Sequence, residues 1–309
     1  MSQTGAVPGA EEQRGARAAG ARGVSIVVPA YDEESGIAGV VERLGALELG
    51  RPLELVVVDD GSRDGTAGVL AALEREQPAL RVVHHPRNRG YGAALKTGFA
   101  RARHDLIVIT DGDGTYPETA IAELVAAIED GADMAVGART GANVYVPLVR
   151  RPAKACLRAL AAFLAGAPIP DLNSGLRAFR RDFVRAHRAL LPDGFSFTTT
   201  ITLAALTSGH RVDYVSIDYA PREGRSKIRP IRDTLGFLSL IVRTALYFNP
   251  LKVFYPLAGG LGLLFAASLG YDVLWERNLG DKTVLLFVCL VQVLTVGLLA
   301  DLIEKKTRR

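Results

Sequence analysis

The 309-residue chain is predicted to fold as an α/β domain with a mostly parallel sheet, followed by interfacial helices and a two-helix membrane hairpin. Three observations predict this. Short apolar runs alternate with helix-length segments, carboxylates and glycines cluster where several runs end, and two uncharged stretches of bilayer length follow.

Residues 1–22 are mostly Ala, Gly, Arg and Glu. Such a composition cannot bury a core, so a disordered tail is expected, and it lacks the apolar run of a signal peptide. Residues 23–230 then carry the α/β pattern. The apolar runs at 24–29, 53–59, 81–84, 105–110 and 134–138 are separated by helical segments. Runs this apolar suit strands covered on both faces, and in such sheets ligands bind at the carboxyl ends of the strands.

The membrane part starts near residue 231. Between Lys252 and Asp272 lie 19 residues without a charge, and between Lys282 and Asp301 lie 18. Each is close to one bilayer crossing, and buried core helices are the competing reading. Arg243 and Lys252 precede the first span, and Lys305, Lys306, Arg308 and Arg309 follow the second. The positive-inside rule therefore puts both ends in the cytoplasm, with Trp275 in the outer loop as an interfacial anchor. The segments 152–165 and 231–248 mix Arg with Leu, Phe and Ile at helical spacing. Helices lying in the interface would suit both, and core helices would use the same pattern. The domains are thus a tail at 1–22, a catalytic domain at 23–230, a membrane-interface helix at 231–250, and two spans with a basic tail at 251–309.

The net charge of +4 is distributed in a way that selects among partners. Arg150, Arg151, Lys154 and Arg158, then Arg222, Arg225, Lys227, Arg229 and Arg232, flank apolar stretches instead of aromatic stacking motifs. An anionic membrane surface fits this better than nucleic acid. Two cysteines make neither a disulfide framework nor a metal site. The five histidines show no metal spacing and read as surface residues.

Three runs end in acidic segments: Tyr31-Asp32-Glu33-Glu34, Asp59-Asp60-Gly61-Ser62-Arg63-Asp64, and Asp111-Gly112-Asp113-Gly114. Each alone would serve as a helix cap or a turn. Side by side they would repel one another unless a cation or ligand donors offset them, which points to a metal-nucleotide site.

In this order, these segments resemble family 2 glycosyltransferases of the GT-A fold, whose Rossmann-like domain binds nucleotide sugars. Asn88-Arg89-Gly90-Tyr91-Gly92 before a helix adds to the match. So do Asp171-Leu172-Asn173-Ser174-Gly175-Leu176-Arg177, Gly194-Phe195-Ser196-Phe197 and Arg222-Glu223-Gly224-Arg225-Ser226-Lys227. These later segments are similar to the polyprenyl-phosphate branch, which includes dolichol-phosphate mannose synthase and the undecaprenyl-phosphate glucosyl- and aminoarabinosyl-transferases. Thr115 departs from the pattern, since relatives often carry Gln there, and no carboxylate follows Phe197.

The resemblance implies roles for single residues. Asp60 would hydrogen-bond the nucleotide base, with Pro29, Tyr31, Glu33 and Asp59 around the same pocket and Lys96 a further donor contact. Asp111, Gly112 and Asp113 form an Asp-x-Asp motif, through which Mg²⁺ or Mn²⁺ would grip the donor diphosphate. Arg139 and Arg177 would contact phosphates, with a structural salt bridge the competing reading for each. Arg177, Arg222, Ser226 and Lys227 would receive the lipid phosphate. The implied reaction moves a hexose from a UDP- or GDP-sugar to a polyprenyl phosphate with inversion, Asp111, Asp113 and Arg177 being the catalytic set. The enzyme would sit in the plasma membrane with its catalytic domain in the cytoplasm. Small residues in the first span, Gly259, Gly260 and Gly262, would allow a homo-oligomer. Two alternatives remain open: a transferase acting on a saccharide or lipid-linked saccharide acceptor, and an inactive nucleotide-binding scaffold at the membrane.

Overall fold

The computed structural model describes residues 23–141, 151–194, 196–220, 242–243, 246–247 and 249–307. The tail expected at 1–22 and most of the interface segment at 231–250 lie outside those residues. The chain divides into two compact units, with boundaries between Arg158 and Ala159, Pro168 and Ile169, and Arg229 and Pro230.

In the first unit the five apolar runs form β1 (Val24–Ala30), β2 (Leu53–Asp59), β3 (Leu80–His84), β4 (Leu106–Ile109) and β5 (Met134–Ala138). Two further strands, β6 (Arg177–Arg180) and β7 (Val212–Ser216), complete a seven-stranded sheet of order β3-β2-β1-β4-β6-β5-β7. β1 pairs in parallel with β2 and β4, and β2 with β3. β6 runs antiparallel between β4 and β5, and β7 pairs in parallel with β5. The sheet is thus mostly parallel with one reversed strand. That reversal matters for the site, because β6 begins at the edge where β1, β2 and β4 end.

Helices cover both faces. Strand side chains alternate between them, which sends Val24, Ile26, Val28, Leu55, Val57 and Val108 to one face and Val27, Val56, Val58, Ile107 and Ile109 to the other. The first face is covered by α1 (Ile37–Gly45), α2 (Thr66–Glu76) and α4 (Ala120–Glu129). The second is covered by α3 (Tyr91–Arg101), α6 (Arg181–His187) and α7 (Phe197–Thr207). Here Phe99 meets Phe179 edge-on at 5.5 Å and Phe197 at 5.9 Å between ring centroids. Gly98 lets α3 approach β1, since Val27 fills the space a Cβ would need.

Helix α5 (Arg151–Ala165) forms where the amphipathic segment was expected. In the second unit, α8 (Leu251–Tyr271) passes through a π-helical turn, Asp272–Glu276, and α9 (Asp281–Thr307) returns. Helices at the heart of a soluble fold would be mostly buried. The apolar windows of these two are only 6% and 11% buried, so they are long, apolar and open to their surroundings, as membrane-associated helices are. They pack closely, with Phe254 against Gly297 and the Phe265 and Phe287 rings tilted against each other at 5.6 Å between centroids. The turn is closed by Asp272, which accepts hydrogen bonds from the Gly280 amide (2.8 Å) and the Thr283 hydroxyl (2.6 Å).

Candidate functional site

Strand register brings the acidic segments together. Ala30 stands beside Asp59, and Asp59 beside His84, so the exits of β1, β2 and β3 line up at one edge. β4 ends next to them, leading into Thr110 and Asp111. The reversed strand β6 starts here too: Arg177 pairs across from Ile109 and Val136. Its leading segment, Asp171–Leu176, is therefore delivered to the carboxyl edge of the parallel strands, where α/β sheets bind ligands.

The first two acidic segments interlock. Asp32 adopts the left-handed conformation (φ 51°), its amide donates to Ser62 Oγ (3.0 Å), and its carboxylate accepts the Arg63 amide (2.8 Å). The Glu33 amide donates to Thr66 Oγ1 (2.9 Å), and Glu34 exchanges bonds with Asp64 and the Gly65 amide. Strain at a non-glycine residue is tolerated because Asp stabilises this turn through its own side chain. Pro29 and Tyr31 flank the same exit, with the Pro29 carbonyl beside Gly112.

Asp59 and Asp60 are both buried, at 3% exposure. Asp59 accepts the Ser62 amide (3.0 Å) and meets His84 Nδ1 (3.0 Å). Asp60 accepts the amides of Arg89 (3.0 Å) and Gly90 (2.7 Å) and meets His85 Nδ1 at 2.6 Å. Its oxygens hold the loop before α3. His85 and His187 are also buried, which corrects their reading as surface residues. His187 spends Nδ1 on the Phe183 carbonyl, and desolvation lowers its pKa.

Asp111 and Asp113 follow β4. Asp111 accepts the Tyr91 hydroxyl at Oδ1 (3.1 Å), and Gly175 lies so close that a Cβ there would collide with the carboxylate. Asp113 Oδ1 accepts both the amide (3.2 Å) and the hydroxyl (2.7 Å) of Thr115, the residue that departs from the family pattern. Tyr116 accepts the Gly175 amide (2.6 Å) and so fixes that glycine against Asp111. Burial, reinforced by the Asp111 charge, raises the pKa of both Tyr91 and Tyr116, keeping both hydroxyls protonated. No third His, Cys, Asp or Glu forms a metal-binding cluster among the described residues. Two carboxylates on one loop nevertheless suit a hard divalent cation whose remaining ligands are diphosphate oxygens and water.

The arginines are already committed. Arg139 grips Asp171 through Nε (2.7 Å) and Nη2 (2.9 Å), and its backbone amide donates to the same carboxylate (3.1 Å). It also lies 5.1 Å over the Tyr219 ring. Burial would lower its pKa, but the carboxylate outweighs burial and raises it; Asp171 is held low in return, against its own burial. Arg177 has no exposed surface. It donates to the carbonyls of Ser174 (2.7 Å) and Leu172 (3.0 Å) and to Thr202 Oγ1 (2.6 Å), and burial lowers its pKa. In these contacts Arg177 shapes the loop that lies against Asp111. Lys96 donates to Asp193 at 2.7 Å. Arg222, Ser226 and Lys227 lie outside the described residues.

Sequence reasoning passed over Tyr91, Tyr116 and Asp171 as site residues, although each stands inside or next to a quoted motif. A usable signal was present for Tyr91: an aromatic hydroxyl at the first position of a helix whose N-terminus faces the strand ends.

Comparison with known proteins bears on this arrangement. The profile of glycosyl transferase family 2 matches residues 25–188. The chain is 32% identical over 295 residues to an undecaprenyl-phosphate 4-deoxy-4-formamido-L-arabinose transferase of Pseudomonas fluorescens, covering 90% of this chain and 84% of that protein. The transferase of the same description from Shewanella sediminis is 32% identical over 259 residues, covering 80% and 74%. Among solved structures, glucosyl-3-phosphoglycerate synthase from Mycobacterium tuberculosis with Mn²⁺, UDP and phosphoglyceric acid superposes with a TM-score of 0.58 at 22% identity. It covers 78% of this chain and 85% of that one. The same synthase with Mg²⁺ and UDP gives 0.56 at 23% identity, covering 77% and 85%.

Proposed function

The chain belongs to glycosyl transferase family 2, and on that premise we propose that it transfers a sugar from a nucleotide-sugar donor to a polyprenyl phosphate, for cell-envelope glycan or protein glycosylation. Asp111 and Asp113 at the carboxyl edge of the sheet, braced by Tyr91, Thr115 and Gly175, carry this reading. They would hold Mg²⁺ or Mn²⁺, which supplies neutralisation of the charge that develops on the departing nucleoside diphosphate.

The rest of the chemistry falls to the chain. The loops after β1 and β2 are cross-linked by their own side chains and form a fixed wall for the donor. A phosphate oxygen of the acceptor attacks the anomeric carbon opposite the leaving group. The new C–O bond forms as the bond to the diphosphate breaks, and the configuration inverts. A phosphomonoester or phosphodiester anion is a nucleophile at neutral pH without proton removal, so no general base is required. What supports this reading is that α7, after the Gly-Phe-Ser-Phe segment, carries the buried Thr198, Thr199, Thr200 and Thr202 and no carboxylate. Here Thr199 donates to the Asn173 side chain (2.6 Å), helping to fix the segment that lies on Asp111. Arg222, Ser226 and Lys227 are the proposed acceptor-phosphate ligands, and the helices α8 and α9 are proposed to span the plasma membrane with both ends cytoplasmic.

The test is a donor screen. Purified protein, undecaprenyl phosphate and Mn²⁺ are incubated with labelled UDP-glucose, UDP-galactose, UDP-GlcNAc, GDP-mannose or a UDP-aminoarabinose derivative. Metal-dependent entry of label into the organic phase, absent in Asp113→Ala, supports the proposal. Label retained in water for every donor that the protein binds would overturn it.

A further inference from the structure

A buried histidine that no motif explains connects two strand ends to the metal-binding loop. His85 follows β3, and its side chain is 5% exposed, as is that of Asp60. Its Nδ1 meets Asp60 Oδ1 at 2.6 Å and its Nε2 meets Thr97 Oγ1 at 2.9 Å. With the carboxylate accepting, Nδ1 carries the proton and Nε2 accepts the Thr97 hydroxyl hydrogen.

Thr97 lies on α3, and Asp60 also accepts the amides of Arg89 and Gly90 just before that helix. Helix α3 is therefore tied to the end of β2 twice, once directly at its start and once through the imidazole a turn and a half further on. Gly61 (φ 73°) permits this approach, because backbone of Arg87 and Asn88 fills the space of a Cβ. The first residue of α3 is Tyr91, whose hydroxyl donates to Asp111. A continuous path runs Thr97, His85, Asp60, the Gly90 amide, Tyr91, Asp111.

We propose that His85 is a positioning residue for Asp111: it fixes α3 on Asp60 and so sets the Tyr91 hydroxyl that orients the first carboxylate of the Asp-x-Asp pair. This rests on the reading of that pair as the metal-diphosphate site. Partners one layer behind a metal ligand govern how well the ligand is aimed, and their loss weakens metal affinity by roughly 10- to 100-fold.

The experiment measures Mn²⁺ binding by electron paramagnetic resonance in the presence of a nucleoside diphosphate, with thermal unfolding in parallel. Wild type binds Mn²⁺ and Asp113→Ala does not. Tyr91 is the partner directly behind Asp111 and His85 acts through it, so His85→Leu is expected to bind more weakly by up to about 10-fold, and activity should return at saturating Mn²⁺. His85→Asn, which restores a donor toward Asp60 but cannot reach Thr97, should stay weakened as Thr97→Val does. Thr97→Val removes only the far end of the path and should weaken binding in a chain that folds normally, so it decides the matter if His85→Leu does not fold. Wild-type affinity in both His85→Leu and Thr97→Val, or in Thr97→Val alone if the other does not fold, overturns the inference. Absence of Mn²⁺ binding by wild type overturns the underlying site reading and the inference with it.

Discussion

Arg177→Met removes a cation that has no exposed surface and three short hydrogen bonds, while keeping an unbranched side chain in its place. Each bond from a charged donor contributes about 1.5–3 kcal/mol, so the three together are worth roughly 5–9 kcal/mol. Relief of the several kcal/mol spent on burying the guanidinium offsets part of this, leaving a net loss of about 2–4 kcal/mol. For a domain of this size that corresponds to a fall in Tm of roughly 4–16 °C. Circular dichroism during heating of the detergent-solubilised protein reads it directly. Activity should fall further than stability at a temperature where the variant is folded, because the Ser174 and Leu172 carbonyls anchor the loop that places Gly175 on Asp111. An unchanged Tm combined with a selective loss of acceptor binding would refute the argument. It would return Arg177 to the role of a phosphate ligand.

Asp171→Asn should destabilise by about 2–4 kcal/mol, since it leaves the largely buried Arg139 without its carboxylate. The pH dependence has a definite sign. Because the folded pKa of Asp171 lies below 3.8, the pair stabilises fully above that value and its contribution is lost as pH falls through the folded pKa; Asp171→Asn should flatten that acid limb of a Tm-against-pH curve. Gly98→Ala should cost about 1–3 kcal/mol in thermal unfolding, as its Cβ meets Val27 where α3 crosses β1. Deletion of residues 251–309 should move the protein from the membrane pellet to the supernatant on ultracentrifugation.

The legible part of this fold was the part carried by local composition. Strands β1, β2, β4 and β5 are mostly apolar runs covered on both faces, so their apolar character shows without knowledge of their partners, and the edge strand β3 shows by its Leu80, Val82 and Val83. β6 reads Arg-Ala-Phe-Arg, with only Ala178 and Phe179 to mark it, and β7 reads Val-Asp-Tyr-Val-Ser. Neither stands out from a helix or a loop, and the reversed direction of β6 comes from where the preceding segment must dock. The site divides the same way. Carboxylates following buried strands announced Asp111 and Asp113. The fate of Asp60 and Arg177 was hidden because it depends on distant partners. Asp60 is occupied by amides from residues 89 and 90, and Arg177 by a hydroxyl on α7 and carbonyls of its own loop. His85 looked like background for the same reason: only the fold brings Thr97 and Asp60 to its two nitrogens.

Mass spectrometry of the lipid after reaction tests the central claim most directly. Undecaprenyl phosphate incubated with wild type, Mn²⁺ and the active donor should gain the mass of one glycosyl residue, with one nucleoside diphosphate released per lipid converted, and Asp113→Ala should yield neither. Nucleoside diphosphate release with the lipid mass unchanged would contradict the account, because the sugar would then be passing to another acceptor or to water.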